Sequence, residues 1–404
     1  MFNQLSASIK QYLLITGNYW AFTITDGALR MLVVLHFHQL GYSPFNIAML
    51  FLFYEVFGVV TNLIGGWLGA RIGLNKTMNI GLIMQVVALG MLAVPNDMLT
   101  VFYVMFAQAL SGIAKDLNKM SAKSAVKLLV PEGAEGKLYQ WVALLTGSKN
   151  TLKGFGFFCG GLLLSVFGFQ GAVAAMASIL AIVWIMSLIM LKEDIGKSGF
   201  KPKFTDIFSK SASINTLAAA RMFLFGARDV WFVVALPVYL ATVFNWEHSW
   251  VGGFMASWVI GYGVIQSIAP YFTGKKQGKV PSVGAVVFWG SVLAIIPIFI
   301  AVALHFDFYI RTSIIIGLLV FGALFAINSS LHSYLIVSYA RADGVSLDVG
   351  FYYMANAMGR LIGTVLSGAI FQIYGLEACL WISGLFIGLA AIISLNLKEK
   401  TLEA

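Results

Sequence analysis

Eight basic residues stand inside stretches that are otherwise apolar: Arg30, Lys115, Lys119, Lys149, Lys153, Arg221, Arg228 and Arg360. Four acids accompany them, Asp26, Glu55, Asp116 and Asp229. A charge at the centre of a membrane helix costs at least about 2.5–3.5 kcal/mol on insertion scales, so each needs a partner, water or a ligand. Eight bases against four acids leave four positive charges over, and that surplus asks for an anion. The chemistry on offer is binding, because no nucleophile–base pair, phosphate loop or metal-spaced cluster is present in the sequence. An enzyme is therefore the least favoured class, and no metal or cofactor is expected.

A long side chain near a helix end can reach the headgroups, and depth tests that reading. Lys149 lies 11 residues past the start of its predicted span at 138, roughly 16 Å at 1.5 Å per residue. Arg360 lies 12 residues into its span, roughly 18 Å by the same rise. Both are read as lining a water-filled binding site. Arg30 and Arg228 sit on the first span of each half, and Lys153 shares the Lys149 face at i+4. Arg221 is nearer the cytoplasmic end and is left open between the two readings.

The fourth span, 99–122, and the residue after it, LTVFYVMFAQALSGIAKDLNKMSAK, carry lysines at 115, 119 and 123. At 100° per residue, Gln108, Ser111, Lys115, Asn118 and Lys119 share about 100° of arc, with Phe106, Leu110, Ile113, Leu117 and Met120 opposite. The polar stripe begins at Gln108, well before the lysines, so snorkelling alone does not explain it. Lys115 is read as binding, Lys119 as undecided, and Lys123 and Lys127 as interfacial. Asp116 neutralises a neighbouring lysine.

Asp26 and Arg30, one turn apart, form either an internal ion pair or an arginine held for an oxyanion; the two are compatible. Arg228–Asp229 offers a similar association. Arginine suits phosphate because its planar fork makes two parallel charge-assisted hydrogen bonds. Glu55 is the candidate for a protonatable coupling site, with a buried hydrogen-bonded carboxyl as the alternative. Asn328 and His332, at i+4, and Asn356 are supporting polar residues. His36 and His38 are read as interfacial.

The elements that position these groups follow from composition. Hydrophobic residues make up 59% of the 404 and charged residues 11%, against about 25% charged in soluble domains. A membrane helix needs roughly 20 apolar residues. Twelve spans satisfy this, near 11–37, 45–70, 77–96, 99–122, 138–168, 170–191, 213–243, 248–272, 281–303, 310–339, 348–374 and 376–397. The predicted fold class is an all-α membrane protein of twelve transmembrane helices in two six-helix halves. With the N-terminus inside, the inner loops hold Lys10, Arg71, Lys76, Lys123, Lys127, Lys137, Lys192, Lys197, Lys201, Lys203, Lys210, Lys275, Lys276, Lys279, Arg341, Lys398 and Lys400, and the outer loops only Arg311. That asymmetry places both termini in the cytoplasm. The N-terminus, MFNQLSASIK, carries no expected cleavable signal. Cys159 and Cys379 lie in apolar runs and read as packing residues. No nucleic-acid partner is expected; the lipid bilayer is one, and a monomer is assumed.

The basic stretch 193–212 separates an N-terminal half, 1–192, from a C-terminal half, 213–404. The halves echo each other weakly, RMLVVLHFHQLGYSP in the first and VWFVVALPVYLATVFNW in the second. Repeated halves are the mark of a transporter with a midplane site. Gly147, Gly154, Gly156, Gly160 and Gly161 permit close packing of the fifth span.

GGWLGARIGLNKTM, residues 65–78, resembles the loop 2–3 signature of the major facilitator superfamily through Gly66, Leu68, Arg71, Gly73 and Lys76. Ala70 stands where that family usually has aspartate, so the usual charge contact of the latch is not expected. Within that superfamily, HFHQLGYSP, the run from Leu99 to Pro131 and LYQWVALLTGSKNTLKG resemble the ArsJ family of organoarsenical efflux permeases. The resemblance implies a bacterial inner membrane and export of 1-arseno-3-phosphoglycerate, conferring arsenate resistance. It also implies a functional partner, the glyceraldehyde-3-phosphate dehydrogenase that makes this ester from arsenate. The competing readings are a proton-coupled multidrug exporter, which would be expected to carry surplus acid, and a transporter-like sensor of a phosphorylated metabolite, which would need a larger cytoplasmic surface.

Overall fold

The computed structural model describes residues 7–42, 50–131, 133–191, 195–199, 202–209, 211–246, 248–273 and 281–398, with the side chains of Ala7, His38, His248 and Ser249 left out. Of the loop cations, Lys192, Lys201, Lys210, Lys275, Lys276, Lys279 and Lys400 lie outside the described residues, as do positions 45–49 of the second predicted span.

The described chain is helical: α1 (Ala7–Gln39), α2 (Leu52–Ile72), α3 (Leu74–Leu92), α4 (Val101–Leu129), α5 (Glu135–Met190), α6 (Ala212–Phe232), α7 (Ala235–Thr242), α8 (His248–Thr273), α9 (Val283–His305), α10 (Ile310–Tyr339) and α11 (Val345–Ser394). Two of these are hairpins of helices. α5 breaks at Gly168 (φ 65°, ψ −178°) and α11 at Gly375 (φ 75°, ψ −172°). Positive φ at an abrupt reversal is a conformation glycine adopts at little cost. The predicted span boundaries at 168/170 and 374/376 fall on these two glycines. Conversely, α6 and α7 are one span interrupted at Val233–Val234. Pro237 cannot donate to the carbonyl four residues back and its ring crowds it, so the helix restarts there. The N–H groups of Val234 and Ala235 are taken up by Ser367 Oγ at 3.3 and 3.1 Å. With two helices counted twice and two counted as one, the chain has twelve spans.

Seven helical stretches are long and apolar enough to cross a membrane by composition alone. α1, α3 and α4 fall short of that apolarity, because they carry much of the buried polar interior. α4 differs from its predicted extent: it runs to Leu129, 29 residues, roughly 43 Å at 1.5 Å per residue. That outlasts the roughly 30 Å hydrocarbon core. Thr100 Oγ1 caps its start by accepting from Tyr103 N.

The helices gather into two compact units. The first comprises Met1–Ala134, Ser148–Phe208 and Ala340–Met354; the second, Glu135–Gly147, Ser209–Tyr339 and Ala355–Ala404. Residues 135–147 group with the second unit and 340–354 with the first, and the division within the linker falls at 208/209.

In the first unit, the linker lies on the α2–α3 turn. Leu74 N donates to Ile195 O (2.8 Å), Ser198 N to Ala70 O (2.8 Å) and Trp67 Nε1 to Pro202 O (3.0 Å). Ser198 Oγ donates to Asp343 Oδ1 at 2.6 Å. At Ala70, where the family pattern has a carboxylate, the backbone carbonyl makes the contact, and Asp343 supplies a nearby acid.

Each unit also has a close glycine crossing between its first helix and the first limb of its fifth. A Cβ on Gly156 would stand 2.6 Å from Ile24 O and 3.2 Å from Gly27 Cα; one on Gly363 would stand 2.7 Å from Gly226 O and 3.1 Å from Gly226 Cα. Gly90, by contrast, has nothing within 4 Å of that position. Backbones this close cannot admit a side chain without moving apart. Gly156→Val should therefore lower the apparent unfolding temperature in detergent, with an overpacking cost of about 1–3 kcal/mol. Gly90→Val should leave it unchanged, and equal melting of the two variants would refute the close-crossing argument.

Candidate functional site

Each unit holds one cluster of charge in its helical interior. In the first unit, α1 supplies Asp26 and Arg30, α2 supplies Tyr54 and Glu55, and α4 supplies Lys115, Asp116, Lys119 and Lys123. The first limb of α5 adds Lys149 and Lys153, and the start of α11 adds Tyr353. Asp26 accepts from Tyr54 OH at 2.6 Å and faces Lys153 Nζ at 3.9 Å. Arg30 Nη2 donates to Glu55 Oε1 at 3.1 Å. The sequence suggested an Asp26–Arg30 pair along one helix; the structure gives both residues partners on other helices. Glu55, read as a coupling carboxyl, is the acid of an ion pair.

Asp116 divides its two oxygens. Lys119 Nζ donates to Oδ1 at 2.6 Å, and Lys115 Nζ stands 3.8 Å from Oδ2. Lys115 lies 3.8 Å over the Tyr54 ring, and Lys119 and Lys123 each lie 4.8 Å from the Tyr353 ring centre. Lys123 corrects the sequence reading. It is 3% exposed and donates to Tyr353 OH, so it is interior and not part of an interfacial rim. Lys149 is half-buried, with Nζ 3.3 Å from Asn150 Oδ1.

Two supporting residues on α4, Asn118 and Gln108, are fully buried. Asn118 packs on α3: a Cβ on Gly81 would collide with its amide, and its Nδ2 donates to Ala114 O at 2.9 Å. Its Oδ1 is buried with no hydrogen-bond partner. Gln108 has an Nε2 with no hydrogen-bond partner, and Ser111 Oγ likewise has none. The polar stripe is therefore real at its upper end, and buried water is its natural partner.

In the second unit, Asp229 is completely buried. Arg228 Nε donates to its Oδ1 at 2.6 Å, and Arg360 Nε donates to Oδ2 at 3.3 Å. The Arg228 guanidinium stands 5.0, 5.8 and 5.5 Å from the rings of Phe225, Phe232 and Phe325. Arg221, left open from sequence, is 2% exposed. Its Nε donates to Asn356 Oδ1 at 2.9 Å and its Nη1 to Ser329 O at 3.3 Å, with Phe225 at 3.9 Å. Asn356 is thus a positioning residue for an arginine. Asn328 Nδ2 donates to Trp289 O at 2.9 Å and Leu324 O at 3.0 Å, which ties α10 to α9. His332 is buried on the next turn, with Nδ1 lacking a hydrogen-bond partner.

The two clusters share a register. Lys153 precedes the Gly168 break by the same fifteen residues that separate Arg360 from Gly375. Each base faces an aspartate on the first helix of its half, Asp26 or Asp229. Each lies three residues before the glycine of the close crossing.

The Major Facilitator Superfamily model matches residues 13–344 of the sequence. The chain belongs to the major facilitator superfamily. Solved structures agree in fold. A bacterial homologue of the iron transporter ferroportin, in an outward-facing state, superposes with a TM-score of 0.74 at 12% identity, covering 96% of this chain and 99% of that one. The human organic anion transporter MFSD10 (TETRAN) gives 0.74 at 13%, covering 95% and 99%. A variant of the E. coli fucose:proton symporter FucP gives 0.74 at 11%, covering 98% and 100%. No curated protein matches the sequence. Major facilitators are multi-pass membrane transporters, and this chain is one.

For a major facilitator, the interior groups missed from sequence are informative. Tyr54 and Tyr353 hold the lysines, yet tyrosine in an apolar helix reads as ordinary core; Lys123 lies just past the predicted end of α4 and so reads as a rim residue. The Tyr54 hydroxyl is a direct partner of a buried carboxylate, and hydrogen bonds to charged groups contribute about 1.5–3 kcal/mol. Tyr54→Phe should destabilise the folded protein by about that amount, seen as a lower apparent unfolding temperature. An unchanged unfolding temperature would show that the Asp26 contact contributes nothing.

Proposed function

We propose that this transporter is an alternating-access exporter of a multiply charged organic anion, 1-arseno-3-phosphoglycerate, and that it confers arsenate resistance at a bacterial inner membrane with both termini cytoplasmic. One observation carries the anionic substrate class. Among the described residues, nine bases stand in the two clusters against four acids, six against three in the first unit and three against one in the second; Lys123 and Arg221 are buried and the other seven bases part-buried. Surplus cation within a helical membrane interior is costly unless an anion or water compensates it. The particular substrate rests on the sequence resemblance to the organoarsenical permeases and on chemical fit. An ester carrying both phosphate and arsenate is matched by guanidinium forks and ammonium point charges. The human neighbour in fold bears the name of an organic anion transporter, which is compatible with the same class.

The substrate-contacting residues in this reading are Arg30, Lys115, Lys119, Lys149, Lys153, Arg228 and Arg360. Cells expressing the chain together with an arsenate-using glyceraldehyde-3-phosphate dehydrogenase should grow on arsenate. Lys149→Ala and Arg360→Ala should abolish that growth while still reaching the membrane. Full resistance in both variants would remove these residues from the site, and no resistance in wild type would remove the substrate.

Energetics make proton coupling unnecessary. Outward movement of negative charge across an inside-negative membrane is favourable by about 2.3 kcal/mol per charge per 100 mV. Uptake into everted vesicles should therefore persist when the pH gradient is collapsed and the potential kept. Loss of uptake under that condition would make the carrier proton-coupled.

A further inference from the structure

Two fully buried carboxylates, one in each charge cluster, are built alike, and their arrangement goes beyond neutralising charge. Asp229 gives Oδ1 to Arg228 and Oδ2 to Arg360; Asp116 gives Oδ1 to Lys119 and Oδ2 to Lys115. In each case one carboxylate spans a pair of cations, as a bridging oxyanion ligand would. Asp116 Oδ2, 3.8 Å from Lys115, has no hydrogen-bond partner.

Aromatic rings also flank these clusters' cations. Arg228 stands beside three phenylalanine rings, Lys115 over Tyr54 and Lys119 beside Tyr353. Cation–π contact favours these positions independently of the carboxylate. The cations can therefore keep their places when the carboxylate is no longer their ligand.

We infer that Asp229 and Asp116 are tethered surrogate anions: each occupies a cation pair that a phosphate- or arsenate-bearing substrate takes over by displacing the carboxylate. This rests on the anion-export reading and adds the element that tunes its affinity. The substrate gains only the difference between its own interaction and that of the carboxylate it displaces. Removing the surrogate's charge removes that competition.

The test is binding of 3-phosphoglycerate to purified protein by calorimetry. Asp229→Asn keeps the side-chain size and an acceptor oxygen but removes the charge. It should bind about tenfold more tightly than wild type, the effect of losing a competitor worth about 1.4 kcal/mol. Asp229→Glu, which keeps the charge, should remain within about threefold of wild type. Release should become the slow step, so counterflow in proteoliposomes should fall in Asp229→Asn while affinity rises.

A positioning role predicts the opposite sign: the arginines repel once the acid is neutral, and binding weakens. Weaker or unchanged binding in Asp229→Asn overturns the inference. Should that variant fail to fold, Asp116→Asn carries the same expectation. Failure of both to fold marks the carboxylates as structural and also overturns it. If wild type and variants all fail to bind, the anion-export reading itself falls. If wild type binds and no variant exceeds it, only the displacement is wrong.

Discussion

One constraint governs the interior of this protein: a charge cannot be left alone in a medium that solvates it poorly. The answer in both units is a buried carboxylate shared between two cations. Much else follows from it. The first and fifth helices of each half must approach closely enough for an aspartate on one to meet a base on the other, and glycines at the crossing permit that approach. Tyrosine and phenylalanine rings must then flank the cations, because one carboxylate does not satisfy two of them. Buried ion pairs are poor contributors to net stability, since well-packed apolar residues often serve as well or better. Their retention in quantity, with base in excess, is what the proposed anionic substrate would require.

The halves repeat this plan with different chemistry. Lys153 and Arg360 occupy equivalent positions relative to the glycine that reverses the chain, yet one is a compact ammonium and the other a planar fork. Around Lys153 the cations are mostly lysines, with tyrosines whose hydroxyls also hydrogen-bond, Tyr54 donating to Asp26 and Tyr353 accepting from Lys123. Around Arg360 they are arginines beside phenylalanines. Ammonium groups accept an anion in many orientations, whereas guanidinium groups impose geometry. On the proposed anion-export function, the first unit is suited to tolerance and the second to selection. The interruption of α6 and α7 falls four residues after Asp229, where an irregular backbone already needs a side chain, Ser367, to satisfy it.

Much of the fold was legible because its signals are long. Twelve apolar stretches, a basic linker and glycines at two reversals are properties of many residues at once. The charged members of the site were equally visible, since an ionised group in an apolar helix is too costly to be there without a use. Pairing was not visible. Asp26 and Arg30 are one turn apart and look like partners, but each also has a neighbour on another helix, and only the packing reveals which. Tyr54 and Tyr353 carried no signal because tyrosine is common in apolar cores. Lys123 was missed for a different reason: lysine at a helix end ordinarily snorkels, but here α4 continues past it, burying the residue. Pro237 was a readable warning of the break in its helix, overridden by the apolarity of the span around it.

A carrier for a multiply charged anion faces a problem that binding alone does not solve. Cations placed without acids would capture the substrate, but the same attraction would oppose its release. Transport requires binding strong enough to admit the ion and weak enough to let it go. Acids set among the bases meet that requirement, because attraction falls with each carboxylate while the net charge stays positive. On the proposed anion-export function, the ratio of base to acid in each unit sets the balance between capture and release, and the four acids belong to that chemistry as fully as the cations they accompany.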